Sequence, residues 1–213
     1  MRRVLIHRLG SLGDTVVAQP CFHLIARAFP HAGRRLLTNF PVHGKAPSSA
    51  AVLGDSGLVD GYMRYTAGTW NPLELLRLGV EIRRFRPDVL IYLTNIRPWK
   101  DIERDRLFQR VAGVRRIVGM AGETEIKPVL DRATGRYESE AARLARLVAE
   151  LGDANLADRA SWDLMLSDAE REGRARGAGC ACSSSADCLW PGDQAPGQRL
   201  GAGKLARAAG RAE

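Results

Sequence analysis

Cysteine is scarce in this chain and poorly placed for a structural role. Of 213 residues four are cysteine: Cys21 stands alone, and Cys180, Cys182 and Cys188 cluster near the other end. That excludes a disulfide framework and fits a reducing compartment. Long apolar runs are missing too. Met1-Arg2-Arg3 is basic, but Val4-Leu5-Ile6 behind it is too short for a signal peptide or a membrane span, so a soluble, cytoplasmic protein is expected. Aromatics are only 6% and no nucleic-acid motif occurs, so no nucleic acid is expected as partner. His7, His23, His31 and His43 are scattered, and the three late cysteines lack a fourth ligand, so no metal site is expected. The dinucleotide fingerprint G-x-G-x-x-G, the Walker loop and a serine nucleophile elbow are likewise absent.

Positive charge is abundant. Thirty-two Lys and Arg face 24 Asp and Glu, a net charge of +8 with a pI near 9.8. Such a balance favours anionic partners: phosphate, carboxylate or an acidic membrane surface. An arginine-rich composition set by a GC-rich genome would give the same figure with no partner at all. The 45% hydrophobic content suffices for a core.

The stretch Arg3–Phe29 organises the rest. Val4-Leu5-Ile6 reads as a strand, and Leu9-Gly10-Ser11-Leu12-Gly13-Asp14 as a tight loop. Val17, Cys21, Leu24, Ile25 and Ala28 then recur at helical spacing. Pro20 either kinks that helix or stands near the start of a second one. Further strands are expected at Arg35–Thr38, Val59–Tyr65, Asp88–Leu93 and Arg116–Gly119. Asp88–Leu93 is apolar enough to be a central strand buried on both faces. Residues 41–58 read as loop with a short helix over 48–54. Asn71-Pro72-Leu73-Glu74 starts a helix that Pro87 stops. Asp101 is expected to cap a helix running to Val111, and Glu138–Leu151 is amphipathic. Strand and helix alternate as in right-handed βαβ units, giving an α/β class with a Rossmann-like parallel sheet flanked by helices. From residue 173 to 213 glycine, alanine, serine and arginine dominate without periodicity. That segment is expected to be a disordered or frame-shifted tail, apart from the domain at 1–172.

Ligands of such folds sit at the carboxyl ends of strands. Asp14 is the acidic side chain of the first such loop. It either caps a helix starting at Thr15 or serves as a general base towards a hydroxyl. Arg8 lies beside it. Thr94–Lys100 follows the clearest strand, where Arg97 and Lys100 could meet phosphate or carboxylate. Arg64 is a weaker cationic candidate.

At RLGSLGDTVVAQP the sequence resembles the start of glycosyltransferase family 9, the ADP-heptose:lipopolysaccharide heptosyltransferases. RPDVLIYLTN, RDRLFQRVAGVRRIVG, ESEAARLARLVAELG and WDLMLSDAERE are similar to later parts of that family's first half. The resemblance spans roughly residues 3–172. It implies a GT-B fold, in which residues 1–172 form the acceptor-binding domain and a second Rossmann-like domain holds the nucleotide-sugar. It further implies inverting transfer without a metal. Asp14 matches the family's catalytic base, and Arg8, Ser11 and Gly13 match acceptor-contacting positions. Arg97 matches a cationic position in the loop after the central strand. ADP-heptose would be a substrate rather than a cofactor. The acceptor would be a lipopolysaccharide core or lipid A precursor, met at the cytoplasmic face of an anionic inner membrane. The donor-binding lysine, acidic residues and Gly-rich loop of the second domain have no counterpart after residue 173, so the chain as written is expected to be truncated, to transfer little or nothing, and to self-associate. The rival reading is a non-catalytic carbohydrate- or phosphate-binding module using the same loop.

Overall fold

In a computed structural model, residues 2–39, 49–54, 56–66, 68–168 and 171–172 are described. The chain divides into two units, Met1–Asp168 and Ala169–Glu213. Of the second, the described residues are Arg171 and Glu172, both helical. The expected tail at 173–213 and most of the loop after Asn39 lie outside the described residues.

In the first unit β1 (Arg3–His7), β2 (Gly33–Asn39), β3 (Gly61–Tyr65), β4 (Val89–Tyr92) and β5 (Ile117–Val118) form one parallel sheet in the order β3-β2-β1-β4-β5. The helices are α1 (Leu12–Val17), α2 (Gln19–Ala28), α3 (Ala50–Leu53), α4 (Pro72–Phe85), α5 (Trp99–Val111) and α6 (Glu140–Leu147). A hairpin of β6 (Leu130–Asp131) and β7 (Arg136–Tyr137) precedes α6.

Side chains of successive strand residues point to opposite faces. Val4, Ile6, Leu36 and Ile91 pack with Phe22, Ile25, Leu53, Leu144 and Val148. Leu5, Leu37, Met63, Leu90 and Tyr92 pack with Leu78 and Ile82 on the other face. All four β4 residues are buried, as their unbroken apolar run predicts. Each fully buried Leu, Ile or Phe contributes about 2 kcal/mol of burial free energy.

Of the two placements expected for Pro20, the second holds: it lies in the first turn of α2, where its missing N–H costs no helical bond, and the chain breaks between α1 and α2. Several other element ends differ from the sequence reading. Asp101 does not cap α5. Pro98 holds the cap position and Asp101 sits in the first turn, favoured there by the helix dipole. β3 begins at Gly61 rather than Val59. α6 starts after Ser139, whose hydroxyl accepts from Ala142 N, and gives way after Leu147 to a 3-10 turn at Ala149–Leu151. The cap of α4 is as the sequence predicts: Asn71 Oδ1 accepts from Leu73 N at 3.0 Å.

Candidate functional site

The strand order reverses between β1 and β4. The β1 chain continues into α1 and α2 against one face, and the β4 chain into α5 against the other. Such a reversal opens a crevice at the carboxyl ends of the two strands, where open α/β sheets hold ligands.

Two polar side chains meet across that crevice. Asn95, from the loop after β4, donates through Nδ2 to Asp14 Oδ1 at 3.1 Å. Asp14 Oδ2 accepts from the Ser11 backbone N–H at 2.8 Å and from its hydroxyl at 3.1 Å. Ser11 is thus the N-cap of α1, and Asp14 is the third helical residue reaching back to it. The cap assignment from sequence shifts by one turn: the helix starts at Leu12, not Thr15. The bonds that close the helix start also aim the carboxylate.

The loop backbone is tied from several sides. Gly10 N donates to Asn39 Oδ1 at the end of β2 (3.0 Å), and Thr15 Oγ1 donates to Ser11 O and pairs with the Ser49 hydroxyl, each at 3.0 Å. Gly10 has φ +131°, and a Cβ there would overlap the Asp14 carboxylate. Glycine is therefore required at position 10 both for backbone conformation and for room.

Arg8 is fully buried. Its guanidinium donates to Leu93 O at 2.8 Å and Asp14 O at 2.7 Å, with Nη2 3.8 Å from Asp14 Oδ1. Arg143, also fully buried, donates to the next carbonyl of the β4 loop, Thr94 O, at 2.9 Å. Two buried arginines thus fix the backbone from which Asn95 projects.

A third of the Asp14 side chain is exposed. Burial pushes its pKa up, but the Ser11 N–H, Asn95, the Ser11 hydroxyl and Arg8 outweigh that, leaving the carboxyl below its ordinary value. Asp14 is therefore ionised at neutral pH, with an open approach from solvent.

Arg97 is placed differently. Its Nη1 donates to Asp105 Oδ2 at 2.7 Å, and Asp101 lies 3.9 Å from Nη2. Tyr92 OH donates to the same Asp105 oxygen at 2.9 Å. Arg97 and Asp105, with His7, Tyr65, Trp70 and Phe108, border a cavity of about 170 Å3 on the α4/α5 face. Arg97 makes no bond to Asp14 among those described. Gly13 lies in α1, where a Cβ would meet open space. Lys100 and Arg64 are exposed.

Asn95 stood in the sequence only as one member of a polar loop, and Asn39 carried no signal. His7 lies in the core: Nε2 pairs with Tyr65 OH at 3.0 Å, and burial pushes its pKa down to about 4. Among the described residues no group of three or more His, Cys, Asp or Glu could hold a metal, and no helix is long and apolar enough to cross a membrane.

The sheet order and crevice define a doubly wound, Rossmann-like α/β unit with a carboxylate at its switch point. No family model matches the sequence, and no curated protein matches it. Among solved structures, the chain is similar to a glycosyl transferase family 9 protein from Veillonella parvula DSM 2008, with 16% identity, a TM-score of 0.48, and 72% of this chain and 42% of that one covered. It is also similar to E. coli ADP-heptose lps heptosyltransferase II, at 14% identity and TM-score 0.49 over 85% of this chain and 52% of that one. E. coli heptosyltransferase WaaC, solved with ADP, gives 15% identity and a TM-score of 0.42 over 70% and 47%. The chain thus spans about half the length of the structures it matches.

Proposed function

We propose that this unit is the acceptor-binding half of an inverting, metal-independent glycosyltransferase of heptosyltransferase type, with Asp14 as its general base. The observation that carries the reading is the Asp14 carboxylate, ionised and open to solvent, fixed across the switch point by Ser11 and Asn95. An acceptor hydroxyl beside Oδ1 gives its proton to the carboxylate as its oxygen attacks the anomeric carbon of the sugar. The bond from that carbon to the nucleoside diphosphate breaks, and the configuration inverts. Because Asp14 is a weak base, proton transfer belongs late on the path, when the attacking hydroxyl has become acidic.

In this reading the acceptor is a lipopolysaccharide core or lipid A precursor and the donor is ADP-heptose, a substrate and not a cofactor. The reaction takes place in the cytoplasm. A second Rossmann-like domain supplies donor binding, and much of the stabilisation of the departing diphosphate comes with it. Ser11 and Gly13 border the acceptor, Arg97 faces it from the neighbouring loop, and Arg8 holds the base from behind.

The binding-module reading has less support for a phosphate ligand. The cation beside the loop, Arg8, is buried against two carbonyls, and the charge that reaches solvent is a carboxylate, which repels anions. Asp14→Asn in a full-length, two-domain context tests the proposal. It should abolish transfer and leave acceptor binding intact. Retained turnover would remove Asp14 as the base.

A further inference from the structure

A helix laid on a sheet buries one stripe and ordinarily gives water a polar one. The outer stripes of α4 and α5 are apolar. α4 buries Leu78 and Ile82, yet Leu73, Leu76 and Val80 recur on its opposite side and are 73%, 65% and 40% exposed. Trp70, just before the helix, is 78% exposed. On α5, Leu107 and Val111 stand one turn apart and are similarly open. The two stripes run alongside each other. Arg104 lies over the Trp70 ring, 5.5 Å from its centroid, and Arg83 Nη2 donates to Val111 O at 2.7 Å.

Arginine borders this surface. Arg77, Arg83 and Arg84 on α4 and Arg110 on α5 are exposed. The nearby acids are largely paired. Glu74 accepts from Thr66 N and Thr69 Oγ1, Asp101 and Asp105 face Arg97 and Arg104, and Glu103 lies 3.5 Å from Arg106. Glu81 is the half-buried exception.

We infer that this α4/α5 face seats the protein on an anionic bilayer. Leu73, Leu76, Val80, Leu107 and Val111 enter the interfacial layer, Trp70 sits at headgroup level, and the arginines extend to lipid phosphates. Charge selects this occupant. A second copy docked by a two-fold axis would set arginine against arginine. A nucleic acid would match the arginines but leave the apolar stripe without a counterpart. The inference stands on this surface and not on the role of Asp14.

The test is co-sedimentation of the full chain with vesicles of phosphatidylcholine alone and of phosphatidylcholine with phosphatidylglycerol. Binding should require the anionic lipid and weaken with salt. Leu76→Asp with Leu107→Asp should lower the partition coefficient about tenfold or more, and Arg77→Glu with Arg84→Glu should do the same. Both pairs lie on solvent-facing positions, so circular dichroism should show an unchanged fold. Trp70→Phe should remove a blue shift of emission that anionic vesicles induce in the parent, a readout independent of the paired variants. Asp14→Asn should bind vesicles like the parent, which separates this inference from the glycosyltransferase reading. Equal binding by the paired variants and the parent would overturn the inference, as would no binding to anionic vesicles at low salt. A parent dimer that Leu76→Asp dissociates would also overturn it, in favour of a contact between copies.

Discussion

The Arg8 guanidinium donates to the backbone carbonyl of Asp14 at 2.7 Å, while its distance to the carboxylate is 3.8 Å. Arg8 therefore acts first on the turn that carries the base and only second on its charge. Replacing it by Ala would leave the Leu93 and Asp14 carbonyls without that donor, costing about 3 kcal/mol in urea unfolding. Arg8→Lys keeps the charge, but one ammonium cannot span both carbonyls, so about half that loss is expected. A positioning role predicts a further change: the Asp14 carboxyl, followed by NMR, should titrate higher in Arg8→Lys. An unmoved Asp14 titration would leave Arg8 with a purely structural part.

The two loop glycines should respond in opposite ways. Gly10→Ala places a methyl on the Asp14 carboxylate and asks a non-glycine residue to hold φ +131°. A loss of about 1–3 kcal/mol and a displaced Asp14 follow. Gly13→Ala meets open space within α1, where Ala is the better helix former by about 0.5–1 kcal/mol, so thermal unfolding should rise slightly. If an acceptor occupies that space, the stabilised Gly13→Ala variant should bind it more weakly. Unchanged affinity would take Gly13 out of the site.

Asp14 also sets a sign for acid stability. Its folded pKa lies below the ordinary 3.8, so its contribution is complete above 3.8 and is lost as pH falls through the folded value. Asp14→Asn should therefore be less stable than the parent near neutrality, with the gap closing in urea melts carried down below pH 3.8. A gap that stays constant with pH would mean that the hydrogen bonds matter and the charge does not.

The sheet was legible in the sequence because short apolar runs such as Val89–Leu93, set off by Pro87 before and a polar loop after, suit a strand covered on both faces. Helix starts were legible only where side chain and backbone signals agreed. Asn71-Pro72 is such a place, whereas Asp101 offered a capping side chain three residues inside the helix that Pro98 begins. The β6–β7 hairpin gave no signal: its four strand residues are exposed, and its turn is built by Asp131 accepting from Ala133 N and Thr134 Oγ1. Near Asp14, the loop itself could be read from its glycines and single carboxylate. The partners that fix it could not. Asn39, Asn95 and Leu93 reach it through strand register, across sequence separations of 29, 81 and 85 residues from Gly10, Asp14 and Arg8.

His7 supplies a pH dependence on the other side of the switch point. It is fully buried beside Tyr65 and Tyr92, with Asp105 raising its pKa and Arg97 lowering it, and burial holds it near 4 against an ordinary 6.5. Between those values the unfolded chain takes up a proton that the folded chain refuses. Stability should accordingly fall as pH drops from 6.5 towards 4, by about 3 kcal/mol if this group alone titrates, and level off below. This limb is distinct from that of Asp14, which begins only where the His7 limb ends. His7→Gln retains a polar partner for Tyr65 without a titrating ring, so its urea midpoint should be nearly flat over the same window. An unchanged slope in His7→Gln would assign the effect to other groups. A flattened one would establish a neutral imidazole in the cavity at physiological pH, leaving Arg97 and Arg104 as the cationic side chains among those bordering it.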